Sequence, residues 1–108
     1  MAKPLIKAVI VDDIDSEAGQ QIGVIEFREW HDKPGEVAGI GARCPCGCGS
    51  EMWLPVHRQG ETPRYGTSWE WNGEREGVVL SPSVFNTGLP CRWHGYLGQQ
   101  QPGHWDEC

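Results

Sequence analysis

Short apolar or alternating runs recur along the chain at intervals of about ten residues, each closed by glycine, proline or aspartate, and that rhythm predicts an all-β fold. Residues 5–11 read as an apolar strand interrupted by Lys7, and residues 12–20 as a polar turn. Residues 22–29 alternate after Gly23, with Val24 and Glu26 on one side and Ile25 and Phe27 on the other. Lys33-Pro34-Gly35 supplies turn chemistry for a loop over 30–36. Residues 37–43 make a glycine-broken strand and residues 51–56 its return, a hairpin with CPCGCGS at the tip. Pro55 shifts the return strand toward a sheet edge, because proline cannot donate to a ladder.

Farther along, a strand over 65–72 places Trp69 and Trp71 on one face, and residues 73–77 turn the chain into 78–80. Pro82 ends regular pairing, and Ser81 and Ser83 are expected to bond nearby backbone. After a turn at 86–88 come a second tight turn, Tyr96-Leu97, a polar loop over 99–103 and a last short strand over 104–108. The expected architecture is a single domain over 1–108, a small antiparallel β-meander or sandwich stapled by metal.

Composition narrows the function. The chain has 108 residues, and its fifteen glycines and eight prolines favour turns and strands over long helices. The formal net charge of -6 gives no basic footprint for phosphates, so nucleic acid is not an expected partner. No apolar run approaches the roughly 18 residues of a membrane span, and the N-terminal run is too short for a signal peptide. Five cysteines, three of them within five positions, suit reduced thiolates in a bacterial host cytosol better than disulfides.

The chemistry concentrates in two clusters, Cys44, Cys46 and Cys48 in CPCGCGS, and Cys91 and His94 in CRWHG. Structural zinc takes four ligands, commonly two from each of two tight turns, with two to four residues within each pair. Cys44 with Cys48, and Cys91 with His94, satisfy that spacing in a stretched zinc knuckle, with Cys46 as the substitute ligand. Gly47 and Gly49 allow the backbone to fold back so that amide groups point at the thiolates. Zn2+ is the expected cofactor and the metal is expected to be structural, because a thiolate-rich shell makes zinc a poor Lewis acid. If only three candidates bound the metal, Glu51 or Asp106 would be the available general base.

CRWHG also resembles the second ligand box of Rieske [2Fe-2S] proteins, which makes an electron-transfer centre the alternative. A Rieske centre needs two histidines, however, and position 46 holds cysteine where the first box requires one.

The order CPCGCG, SWEWNG, LSPSV, CRWHGYL and GHW, covering residues 37–105, resembles a family of small phage, prophage and bacterial proteins with a domain of unknown function, some labelled ammonia monooxygenase. The resemblance implies a cysteine-rich metal site on a β scaffold, with residues 80–84 matching the family's L-S-P-S-I segment. Members commonly have Ser-His and an aromatic after the last cysteine. Here Trp93-His94-Gly95 stands instead, which keeps His94 aligned and alters the residue after it. The oxygenase label finds no histidine or carboxylate cluster here to support it. Neighbouring ubiquitin-like conjugation genes in some members imply a protein partner.

The remaining polar residues read more plainly. Asp12, Asp13 and Asp15 form a solvated turn, and His31, His57 and His104 have no spaced partner. Ser81 and Ser83 lack the glycine elbow of a nucleophile, while Cys46 and Cys108 leave room for redox chemistry. The expected function is therefore a small zinc-binding phage or prophage accessory or adaptor protein acting through protein contacts, with a metalloenzyme, which would need an open coordination site and a pocket, as the less favoured class.

Overall fold

A computed structural model describes residues 5–63, 66–85 and 91–107. Among the described residues nine strands form two sheets, with one 3-10 turn at Ala18–Gln20. The strands are β1 (Ile6–Lys7), β2 (Ile25–Glu29), β3 (Val37–Arg43), β4 (Glu51–Arg58), β5 (Trp69–Trp71), β6 (Leu80–Ser81), β7 (Val84–Phe85), β8 (His94–Leu97) and β9 (His104–Glu107). One sheet runs β2-β3-β4-β5-β6 and the other β1-β9-β8-β7. A shared core joins them: Ile25, Ile40, Leu54 and Leu80 from the first meet Val84, Leu97 and Trp105 from the second and Trp93 just before β8. No helix among the described residues is long and apolar enough to cross a membrane.

The expected hairpin is present, with β3 and β4 paired antiparallel from Arg43↔Glu51 to Gly39↔Pro55. The glycines expected to break β3 instead leave room for larger neighbours. A side chain on Gly39 would collide with the Trp53 ring, and one on Gly41 would press on the Arg28 guanidinium, which lies 5.6 Å over the same indole. The apolar segment at 5–11 contributes only two strand residues, although Val11 N–H donates to Ile25 O and Ile25 N–H to Val9 O.

Two departures from the sequence expectation have local causes. Strand β4 is central rather than at an edge, because Pro55 falls where pairing with β5 has not yet begun. A strand residue's N–H and C=O point to the same side. The Pro55 carbonyl accepts from the Ser68 hydroxyl there (3.3 Å), so the missing N–H faces a side chain rather than a ladder. Strand β5 then runs parallel to β4, which breaks the simple meander. Trp69 and Trp71 do share a face, whereas Tyr65, the predicted start of that strand, the turn at 86–88 and Cys108 lie outside the described residues.

Strand β9 is held from within. Trp105 is 1% exposed, its indole N–H donates to Gly23 O at 2.8 Å, and Trp93 meets its ring edge-on at 5.5 Å. Trp105→Phe should strand the Gly23 carbonyl and cost about 1–3 kcal/mol. Trp105→Ala should cost about 3–5 kcal/mol. Urea unfolding checks both through lowered midpoints at an unchanged denaturant slope.

Candidate metal centre and serine–histidine pair

The β3–β4 hairpin ends in a loop that gathers three thiols, Cys44 buried and Cys46 and Cys48 exposed. Cys44 N–H donates to Ser50 O (2.9 Å) and Gly47 N–H to Cys44 O (3.2 Å), while Gly47 and Gly49 sit at φ +91° and +84°, where a side chain would be strained. Arg43 fastens the loop from behind, donating to the carbonyls of Gly49, Gly19 and Ile14 at 3.0–3.1 Å. Cys91 arrives from the other sheet, one residue before Arg92, whose φ of 47° is the only positive value among the described non-glycine residues.

Cys44, Cys46, Cys48 and Cys91 bring their sulfur atoms within 4.8 Å of one another, so the four could hold a metal ion. The separations are 3.3 Å for Cys44–Cys46, 3.5 Å for Cys44–Cys91 and 3.7 Å for Cys48–Cys91. A tetrahedron with metal–sulfur bonds of about 2.3 Å has edges of about 3.8 Å, so the donor set fits one tetrahedral ion after small adjustments. Environment separates the thiols. Burial pushes Cys44 well up and Cys46 up, whereas hydrogen bonds from the Ser50 hydroxyl and amide bring Cys48 down to about 6. Cys48 thus offers a thiolate at neutral pH, and the amide of Cys48 already points at the Cys46 sulfur (3.3 Å).

His94 stands outside this group. It opens β8, and its Nε2 lies 3.0 Å from the Ser83 hydroxyl. Ser83 sits between the Ser81–Pro82 cis peptide and β7, at the corner where the chain passes from one sheet to the other. The Trp69 indole N–H donates to its carbonyl at 3.1 Å, which fixes the corner. Across the β7–β8 ladder His94 faces Phe85, whose ring is 4.8 Å away and 49% exposed. Alternation does the rest, since Val84, Gly95 and Leu97 face the core while Phe85 and His94 face outward. Sequence spacing had assigned Ser83 to turn hydrogen bonds, and the pair forms instead because β7 and β8 are ladder partners, which no motif announces.

A second pair forms between His57 Nδ1 and the Ser68 hydroxyl at 2.9 Å. It differs in one respect. The Ser68 hydroxyl donates its proton to Pro55 O, so it can only accept from His57. The Ser83 hydroxyl has no partner but His94 among the described residues, so with Nε2 unprotonated it can donate to that nitrogen. His94 Nδ1 makes no hydrogen bond among the described residues, so the pair is a dyad there.

The other candidates are dispersed. Glu51 pairs with Arg28 (3.3 Å), Asp106 lies on β9, His104 binds Pro102 O (3.0 Å), and Asp13 caps the amide of Asp15 (2.9 Å).

No curated protein and no solved structure matches the sequence. A family model does, over residues 11–108, and it is described as the bacterial ubiquitination-like system serine protease (BubE). The match spans nearly the whole sequence, including the thiol cluster and both members of the Ser83–His94 pair, and the chain belongs to the BubE family.

Proposed function

We propose that the protein is a serine hydrolase that cleaves an acyl bond at the end of a ubiquitin-like protein, with Ser83 as nucleophile and His94 as general base. The 3.0 Å contact between His94 Nε2 and the Ser83 hydroxyl carries the proposal. In the first step the hydroxyl oxygen attacks the substrate carbonyl as its proton passes to Nε2. The imidazolium then returns that proton to the leaving group, which departs as the acyl-serine ester forms. Water, deprotonated by the same nitrogen, releases the acid and restores Ser83.

Support comes from three directions. The family description names a serine protease of a ubiquitination-like system, which matches the chemistry of the pair. The pair faces outward beside the exposed Phe85, open to a macromolecular substrate. Ser83 is anchored by its carbonyl and His94 by the ladder, so the reacting atoms are held rather than found by diffusion. An adaptor would need no such pair, and a ubiquitin-like protein supplies the partner as a substrate.

The metal in this proposal is one structural zinc held by Cys44, Cys46, Cys48 and Cys91. A Rieske centre would require two histidines, and the group of four thiols includes none. Zinc would act on the reaction only by holding Cys91 in place, three residues before His94.

A fluorophosphonate should form a covalent adduct on Ser83, located by peptide mass spectrometry, while an adduct on Ser68 or none at all would overturn the assignment. With a ubiquitin-like protein extended at its C-terminus, Ser83→Ala and His94→Ala should each lower kcat/KM by about 10³-fold or more. Ser68→Ala and His57→Ala should change it by less than about threefold, because that pair has no transferable proton.

Elemental analysis should find one zinc per protein molecule in the wild type, in Ser83→Ala and in His94→Ala. Cys91→Ser or chelation should remove zinc, lower the melting temperature and abolish labelling of Ser83, and readdition of zinc after chelation should restore it. Loss of zinc in His94→Ala would instead make the imidazole a ligand.

A further inference from the structure

Away from the thiols and the dyad, at the far end of the five-stranded sheet, a cavity of about 640 Å³ opens between the loop after β2, the end of β4 and the segment after β5. Its walls include Trp30 and Trp71, and three cations reach it: Lys33, Arg58 and Arg75. Lys33 pairs with Glu36 at 3.8 Å and Arg75 with Glu29 at 3.4 Å. Arg58 has no carboxylate partner among the described residues. Its guanidinium lies 5.8 Å over the Trp71 ring and passes so close to Gly73 that a side chain there would collide with it.

We propose that this cavity is a peptide-binding site that takes one carboxylate on Arg58, with the adjoining part of the peptide against the indoles of Trp30 and Trp71. A guanidinium held over an aromatic ring is restrained, and its N–H groups remain available for two parallel hydrogen bonds to a carboxylate. The charge count fits that ligand better than a phosphate. A phosphate carries close to two charges, and among the described residues only one cation here lacks an ion pair. On a protein of net charge -6, an uncompensated arginine in a cavity is also the feature able to draw an acidic segment to one place. Glu61 lines the same cavity and opposes the bound carboxylate, which sets the sign of a second test.

Strand β5 links this site to the dyad, since Trp71 forms its wall and Trp69, two residues earlier on the same face, holds the Ser83 carbonyl. The two sites are nevertheless chemically independent, and they are tested separately. The carboxylate has two possible sources, an aspartate or glutamate side group and the C-terminus of a polypeptide.

The test is calorimetric titration of the Ser83→Ala protein, which removes cleavage from the measurement, with three hexapeptides. Each contains one tryptophan, and they differ only in an internal Asp with an amidated end, an internal Asn with an amidated end, and an internal Asn with a free C-terminal acid. One or both acidic peptides should bind at least tenfold more tightly than the amidated Asn peptide, and which one does so identifies the source. Arg58→Gln should erase that difference, and Glu61→Gln, a change at an exposed position, should tighten acidic-peptide binding severalfold. Equal binding of all three peptides by the unaltered cavity, or no response to Glu61→Gln, would overturn the proposal even if Arg58→Gln failed to fold. Fluorophosphonate labelling of wild-type Ser83 reads the dyad alone, so loss of labelling with retained peptide binding would count against the hydrolase and not against this site.

Discussion

Four sulfur atoms lie within 4.8 Å of one another where the two sheets of this small protein meet. Three come from the hairpin tip of the five-stranded sheet and the fourth from the segment entering β8 of the other sheet. A metal held there would close a loop from Cys48 to Cys91, and tying down a loop of that length would remove conformational freedom chiefly from the unfolded state. Without a metal the same arrangement is unfavourable, because deprotonation would gather like charges at separations of 3.3–3.7 Å. Burial holds the Cys44 and Cys46 thiols toward the protonated form, while Ser50 favours the thiolate of Cys48. Such a tie would also fix where β8 begins, and with it the position of the imidazole that opens the strand.

Much of the fold was legible because its signals are local. The Val37–Arg43 strand, its return and the cysteine-bearing tip follow from turn residues and alternation within a few positions. Pro55 misled because its rule concerns the neighbouring strand, and the start of β5 decides whether a central proline is tolerated. The metal cluster was legible as a set of soft donors. Spacing favoured a C-x-x-H pair, however, whereas the backbone path after the positive-φ Arg92 carries the imidazole past the thiols to Ser83, and Cys46 stands in the group of four. The Ser83–His94 pair was not legible at all. It depends on the register Phe85↔His94 across a ladder, and neither residue has a sequence neighbour that betrays the other.

The two serine–histidine pairs show how little residue type decides. Both have oxygen–nitrogen separations near hydrogen-bond length, at 2.9 and 3.0 Å. What separates them is a backbone carbonyl, since Pro55 O takes up the Ser68 proton and nothing described competes for that of Ser83. The proline that leaves a gap in the ladder also supplies the acceptor that quiets its neighbour. The dyad meanwhile occupies the outer face of the four-stranded sheet, so its polar atoms place no unsatisfied group in the core between Trp93, Leu97 and Trp105.

The position of β9 bears on how the protein is made. It lies inside the four-stranded sheet, between β1 and β8, so one of the earliest strands has its ladder partner near residue 105. The buried link from Trp105 to Gly23 spans 82 positions, and until β9 is in place β1 lacks its ladder partner and the Trp93 ring its edge-on neighbour. A nascent polypeptide can build the β3–β4 hairpin as it emerges, because those contacts are local, but the sheet that carries His94 must wait until residue 107 has cleared the ribosome. The Ser83–His94 pair would thus be assembled among the last events of folding.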